Sequence, residues 1–397
     1  MKKTLIVILF LLPFAVCCCN SANEEIKHPY AIAMWDFSWL ERRSDGSGFE
    51  DWDAVLEGFV ERGYDAVRID AYPHLVASDP DAYWTLEPVW NTQVWGWPDT
   101  ITVRVQPELN EFIAVCQKHG VKVGLSSWYR RDTTHREMTI RTPEDMADCW
   151  ITTLKTIEEA GLMDNILFVD LCNEWPGDTW APYFHEQHPE IYWGNWEAPA
   201  SMKWMQEAIS CIRESYPGLP LLFSLDSQDM DKLEAADMSF MNLFEHHIWM
   251  AQQNGNEFNN KVGYNFEKFS PAGYNNLVAN AEKEYRSNPQ YWNSLLESQI
   301  LRMAEISRYH SMPVMTTECW GLIDYKDLEG LNWDWIKDLC ELGVRTSAST
   351  GRWTGIATSN FCAPQFKGMW DDIEWHRKMT TIIKSSVVDE DIRKYKF

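Results

Sequence analysis

The sequence is short of positive charge. Its 397 residues carry 59 acidic side chains against 35 basic ones, a formal charge of −24. A field of that sign repels a phosphate backbone, and no run of Lys and Arg interrupts it. That excludes sequence-independent nucleic-acid binding. Phosphate-cradling glycine loops are also missing, since neither G-x-G-x-x-G nor G-x-x-x-x-G-K-[ST] follows an apolar run. Beyond residue 16 no apolar stretch reaches the roughly 20 residues that span a bilayer. After residue 30 there is no repeat, low-complexity tract or Pro/Gly linker. Seven of the 10 cysteines lie past the N-terminus, at Cys116, Cys149, Cys172, Cys211, Cys319, Cys340 and Cys362, and form no C-x-x-C pair. This excludes a disulfide framework and a zinc knuckle, and leaves these thiols as small buried fillers.

What is present is an ordinary globular balance, 45% hydrophobic and 24% charged, with 22 tryptophans. So many indoles imply a large core or stacking surfaces. The N-terminus, MKKTLIVILFLLPFAV, has the charged start and short apolar run of a secretory leader. It ends at Cys17, Cys18 and Cys19, any of which is a candidate for lipidation. Residues 1–19 therefore read as a lipoprotein signal, 20–29 as a tether and 30–397 as one folded unit. Glu24 and Glu25 close behind the cysteines look like the acidic signal of surface-exposed Bacteroidetes lipoproteins. A plain solvated tether is the alternative. The implied location is the periplasm or the outer-membrane surface, with membrane contact through the anchor alone.

From residue 30 onward, short apolar runs alternate with amphipathic stretches. Strand-like runs are expected at 31–37, 65–71, 121–126, 165–171, 220–225, 241–248, 313–317 and 354–359, with helical spacing between them. Continuous apolar strands separated by helices imply a parallel sheet covered on both faces. Eight such units predict an α/β fold of the (β/α)8 barrel type, with a doubly wound open sheet as the alternative. The extra length falls after strands, at 72–105, 127–142, 175–200 and 249–290. In a barrel those loops gather on the C-terminal face, where sites are built.

Two acids stand at strand ends. Asn173-Glu174 closes the fourth strand, and Asp170, Cys172 and Glu174 share a face by period two. Glu318 closes the seventh strand, PVMTTE. Strands four and seven face one another across a barrel, so the two carboxyls converge. Such a pair suits the cleavage of a glycosidic bond, in which one carboxyl protonates the leaving oxygen and the other attacks the anomeric carbon. Arg68 lies on the second strand in VRID, and His246-His247 follows the sixth.

On these residues the chain resembles clan A glycoside hydrolases, the cellulase-like (β/α)8 enzymes, and especially the sugar-binding cellulase-like lipoproteins of Bacteroidetes. The resemblance implies a retaining β-glycosidase with Glu174 as acid/base and Glu318 as nucleophile. Asn173 then binds the 2-hydroxyl of an oligo- or polysaccharide, and Arg68 orients Glu318. His247-Ile248-Trp249 approximates the clan's His-x-Tyr with Trp in place of Tyr. Trp353 or Trp370 supplies a stacking indole near strand eight, and Trp320 follows the nucleophile. Ser126-Ser127-Trp128 departs from the His usual after strand three. Asp36, Asp70 and Asp226, at the ends of strands one, two and five, are candidates for sugar hydroxyls. Two loop clusters, Trp84, Trp90, Trp95 and Trp97, and Trp175, Trp180, Trp193 and Trp196, are expected to offer at least one stacking face and to wall off a pocket. Two-carboxyl chemistry needs no cofactor. The other readings are a non-catalytic glycan-binding lipoprotein on the same scaffold, and a metal hydrolase using Asp226, Glu245, His246 and His247.

Overall fold

The computed structural model describes residues 25–91, 94–226, 230–265, 269–327 and 331–393. The leader and Cys17, Cys18 and Cys19 lie outside the described residues. Of the expected tether, residues 26–28 lie against the C-terminal segment. Ile26 packs with Val388 and Ile392, and the Val388 amide donates to the Lys27 carbonyl at 3.0 Å.

Eight parallel strands form the expected (β/α)8 barrel. They are β1 Tyr30–Asp36, β2 Ala66–Asp70, β3 Lys122–Ser126, β4 Ile166–Asp170, β5 Leu221–Leu222, β6 Phe244–Glu245, β7 Val314–Thr316 and β8 Trp353–Ala357. Their spatial order is β5-β4-β3-β2-β1-β8-β7-β6. A parallel bridge between Leu225 and His246 joins the two ends. The outer helices are α1 Trp52–Glu61, α2 Glu108–Lys118, α3 Pro143–Glu159, α4 Pro199–Ser215, α5 Met230–Ala235, α6 Pro289–His310, α7 Asp334–Ser349 and α8 Ile373–Ser385. Each follows the strand of the same number.

The local rules are visible in the termini. Thr142 caps α3 in a box with Asp145, and Pro143 occupies the first turn, where its missing N–H costs nothing. The strands are buried on both faces, so ILFVD in β4 shows no polar alternation. Gly124 in β3 gives the barrel interior to Phe168, because a Cβ there would stand 2.2 Å from that ring.

Three sequence expectations need adjusting. The fifth and sixth strands are two residues long rather than six to eight. Past β6 the chain leaves the sheet and pairs again as Ile248–Trp249 with Cys319–Trp320. The long loops also carry structure of their own. Residues 72–105 hold a short helix and the hairpin Tyr83–Leu86/Ile101–Arg104, and residues 249–290 hold helices Gln253–Val262 and Ala272–Ser287.

Candidate active site

A cavity of about 680 Å³ opens at the C-terminal face of the barrel. Glu174 and Glu318 both line it, with Asn173, Asp36, Asp226 and Trp249. One carboxyl oxygen of Glu174, one of Glu318 and one ring nitrogen of His247 all lie within 4.8 Å of one another. The nearest oxygens of the two carboxyls are therefore no more than 4.8 Å apart.

Beneath the cavity floor, β2 delivers Arg68, which is fully buried. Its Nη2 donates to Glu318 Oε1 at 2.5 Å and to Asn173 Oδ1 at 2.7 Å. Asp170 and Glu245 stand 3.6 Å and 3.5 Å from Nη1. The guanidinium lies over the Trp128 ring, 4.7 Å from its centroid. Because Arg68 takes the Asn173 carbonyl, the amide has its NH2 to offer a ligand.

His247 links the two halves of the site. Its Nδ1 is 2.7 Å from Glu174 Oε1 and its Nε2 is 2.8 Å from Glu245 Oε2. A ring with a carboxyl at each nitrogen carries both protons. Burial opposes that charge, but Glu245 and Glu318 outweigh it and hold the imidazole pKa well above its usual value. Arg68 Nη1 also approaches Nε2, at 3.2 Å. Glu245 Oε2 stands closer to Nε2 but makes no aligned hydrogen bond, so charge rather than a shared proton holds the pair. Glu245 is in turn a fixed anion. Burial alone would raise it, yet His247, Arg68 and the Thr317 hydroxyl bring its pKa down to about 2.

Glu174 is tuned in the other direction. Burial first, then the negative charges of Asp226 and Glu318, push its carboxyl up to about 8, although His247 pulls the other way. At neutral pH it carries a proton. Its backbone is left-handed, φ +46°, and is held there by the Glu174 amide donating to Ser224 Oγ at 3.0 Å. Asp36 is left-handed as well, φ +45°. Non-glycine residues in that region cost about 1–3 kcal/mol each and concentrate at functional sites.

Glu174, His247 and Glu318 are also the set that three ligands of a metal ion would form. The same atoms also serve one another: Arg68 pairs with Glu318 Oε1 at 2.5 Å, and His247 Nδ1 lies 2.7 Å from Glu174 Oε1. Of the residues read as possible metal ligands, only His247 belongs to that set; among the described residues Asp226, Glu245 and His246 do not join it.

Asp36 and Asp226 reach the cavity, as expected of groups that bind a ligand. Burial raises Asp226 to about 6, and Trp193 Nε1 donates to its Oδ2 at 3.3 Å. Asp70 does not line the cavity. Its oxygens accept the Tyr72 and Trp128 amides at 2.7 and 3.0 Å, so it folds the turns instead. Trp320 points away from the cavity. Its Nε1 donates to the Ala357 carbonyl at 2.9 Å and its ring presses on Gly343 of α7. Trp353 begins β8, at the far end of the barrel, and donates to Thr316 Oγ1 at 3.0 Å. Trp370 lies on the outer layer under Arg62. None of these three indoles lines the cavity.

Of the eight loop tryptophans, Trp90, Trp95, Trp180 and Trp193 line the cavity. Trp175 is buried beneath it with Phe184, Trp204 and Phe223. Sequence reasoning missed two features. Trp128 is both cavity wall and support for Arg68. Five carboxamides, Gln252, Asn256, Asn259, Asn260 and Asn265, also line the cavity. The run of Asn and Gln between residues 252 and 265 was the available signal.

The family model described as sugar-binding cellulase-like matches residues 32–384. The chain belongs to this family. A crystal structure of a protein from Parabacteroides distasonis, provisionally described as a glycoside hydrolase, is 56% identical over 92% of this chain and 96% of that one, with a TM-score of 0.91. The endo-β-1,4-mannanase of Thermotoga petrophila is 11% identical over 91% of this chain and 78% of its own, with a TM-score of 0.52, and shares the fold alone. Among curated proteins none is similar in sequence. This cellulase-like chain thus has a glycoside-hydrolase-type barrel.

Proposed function

We propose that the protein is a retaining β-glycoside hydrolase. Glu318 attacks the anomeric carbon while Glu174 gives its proton to the leaving oxygen. A glycosyl ester on Glu318 results. Glu174, now a carboxylate, takes a proton from water, and that water hydrolyses the ester. The observation that carries this reading is the asymmetry of a close carboxyl pair. Arg68 is ion-paired with Glu318 at 2.5 Å, whereas burial and the negative charge of Asp226 keep Glu174 protonated up to about pH 8. Two carboxyls with opposed environments are the usual sign of an acid/base and a nucleophile. Asn173, its carbonyl fixed by Arg68, donates its NH2 to the 2-hydroxyl of the bound sugar. The leader and Cys17–Cys19 add a lipid-anchored, exported address to the same reading.

The test is product release from a panel of plant and host glycans by protein starting near residue 24. Wild type should release reducing sugar, and Glu318→Ala should lose about 10⁴-fold or more in kcat while its circular dichroism spectrum shows the fold retained. Equal release by both proteins would remove Glu318 from the chemistry. Release by neither would leave a glycan-binding protein.

A further inference from the structure

Four indoles form a chain of ring contacts along one wall of the cavity. Trp95 meets Trp90 at 6.0 Å between centroids, Trp90 meets Trp180 at 5.7 Å, and Trp180 meets Trp193 at 6.4 Å. The first three are 5–7% exposed. Trp193, the last, is 39% exposed, and its neighbour Tyr192 is 63% exposed. The one polar atom of the Trp193 ring is engaged by Asp226. What Trp193 shows to solvent is therefore hydrocarbon, held in place from its edge. A half-exposed Trp on the wall of a cavity, next in the chain to an exposed Tyr, is costly unless something covers it.

Their position relative to the chemistry is set by Gly177. A Cβ on Gly177 would stand 3.0 Å from the Glu174 carbonyl and 3.3 Å from Trp193 Cε3. Trp193 thus packs on the turn that carries the acid. A general acid delivers its proton to the leaving oxygen, so this turn borders the leaving group.

We propose that Trp193, with Tyr192 beside it, is a stacking platform for a neutral sugar ring on the leaving-group side of the scissile bond. One ring occupies the buried cavity and the next lies across the rim, so the site reads two consecutive sugars. The ring is neutral because the cavity wall presents Asp36, Glu174, Asp226 and Glu318 and, among the described residues, no cationic side chain. A uronic or sulfated ring would meet charge of its own sign. The side assignment rests on Glu174 being the acid; the platform itself does not.

The test is a binding ladder on full-length Glu318→Gln protein, which retains its ligands. Glucose, mannose, xylose and galactose are titrated by calorimetry against their β-linked di- and trisaccharides. In at least one series the affinity should rise about tenfold from monosaccharide to disaccharide. Trp193→Ala should abolish that rise. Trp193→Phe, which keeps a ring but loses the N–H to Asp226, should retain most of it. An unchanged ladder in Trp193→Ala, no gain with chain length, or no binding by any series would overturn the proposal. Equal affinity for a disaccharide ending in glucuronate would overturn its neutral-ring part. Failure of the hydrolase reading looks different: wild type would turn over none of the sugars that bind, with the ladder and its loss in Trp193→Ala intact.

Discussion

The protein buries two arginines that resemble each other until their partners are compared. Arg68 and Arg130 are both nearly inaccessible, and each lies over an aromatic ring, Trp128 at 4.7 Å and Phe37 at 4.6 Å. Arg130 meets one carboxylate. Its Nε and Nη2 donate to the two oxygens of Glu41 at 2.9 and 3.1 Å, and its Nη1 donates to the Glu87 carbonyl at 3.0 Å. The Tyr72 hydroxyl and the Trp97 amide complete the shell of Glu41. One positive charge meets one negative charge, and every contact clamps loops together.

Arg68 is shared instead. Glu318, Asn173, Asp170 and Glu245 divide two of its nitrogens, and its Nε has no partner. With His247 it faces four carboxyls, Asp170, Glu174, Glu245 and Glu318. Burial and the surplus of negative charge raise Asp170 and push Glu174, at the cavity wall, up to about 8. The difference between a balanced pair and an unbalanced cluster separates a structural clamp from a site that can hand over a proton.

Substitutions can break this comparison or sharpen it. After Glu318→Ala, Glu174→Ala should show the next largest effect, about 10²–10⁴-fold in kcat, greatest for substrates with poor leaving groups. Leaving-group rate comparisons check it, and a loss that ignores the leaving group would deny Glu174 the acid role. Glu41→Ala should act on stability. Orphaning Arg130 in a buried shell should cost about 3–5 kcal/mol in a denaturant unfolding series, while the surviving folded protein keeps its pH profile. A changed profile in the folded protein would erase the distinction between the two arginines.

His247→Gln should be the mildest. The neutral form of Glu174 is needed for acid catalysis, so wild-type activity should fall as pH rises through about 8. The His247 cation pulls the Glu174 pKa down. Removing that cation lets the pKa climb, so the alkaline limb should move to higher pH. Movement toward lower pH would show that the ring does not bear the charge assigned to it.

Much of this architecture was legible in the sequence because it rests on local pattern. Continuous apolar runs located the strands, strand ends located Glu174 and Glu318, and the resemblance to clan A glycoside hydrolases singled out Arg68 within β2. Shorter pairing blurred β5 and β6, where β6 carries only Phe244–Glu245 before the chain turns out of the sheet. The errors came from packing between distant segments. Trp320 turns from the cavity because Gly343 on α7 leaves room for its ring, a match across more than 20 residues that no local pattern carries. Asp70 is consumed by backbone amides of two turns, and Trp353 sits at the wrong end of its strand. Glu245 could not be valued before His247 was seen between it and Glu174. The carboxamides were visible as composition, but their gathering at one cavity depends on the left-handed break at Asn254–Asn256, which no local pattern announces.

The most direct test is mass mapping of the enzyme trapped with a 2-deoxy-2-fluoro β-glycoside of the sugar released in the panel. That inactivator forms the glycosyl ester quickly and releases it slowly. One added glycosyl mass per chain is expected, on the peptide bearing Glu318, and none in Glu318→Ala. A label on another residue, or turnover of the parent glycoside with no label at all, would contradict it.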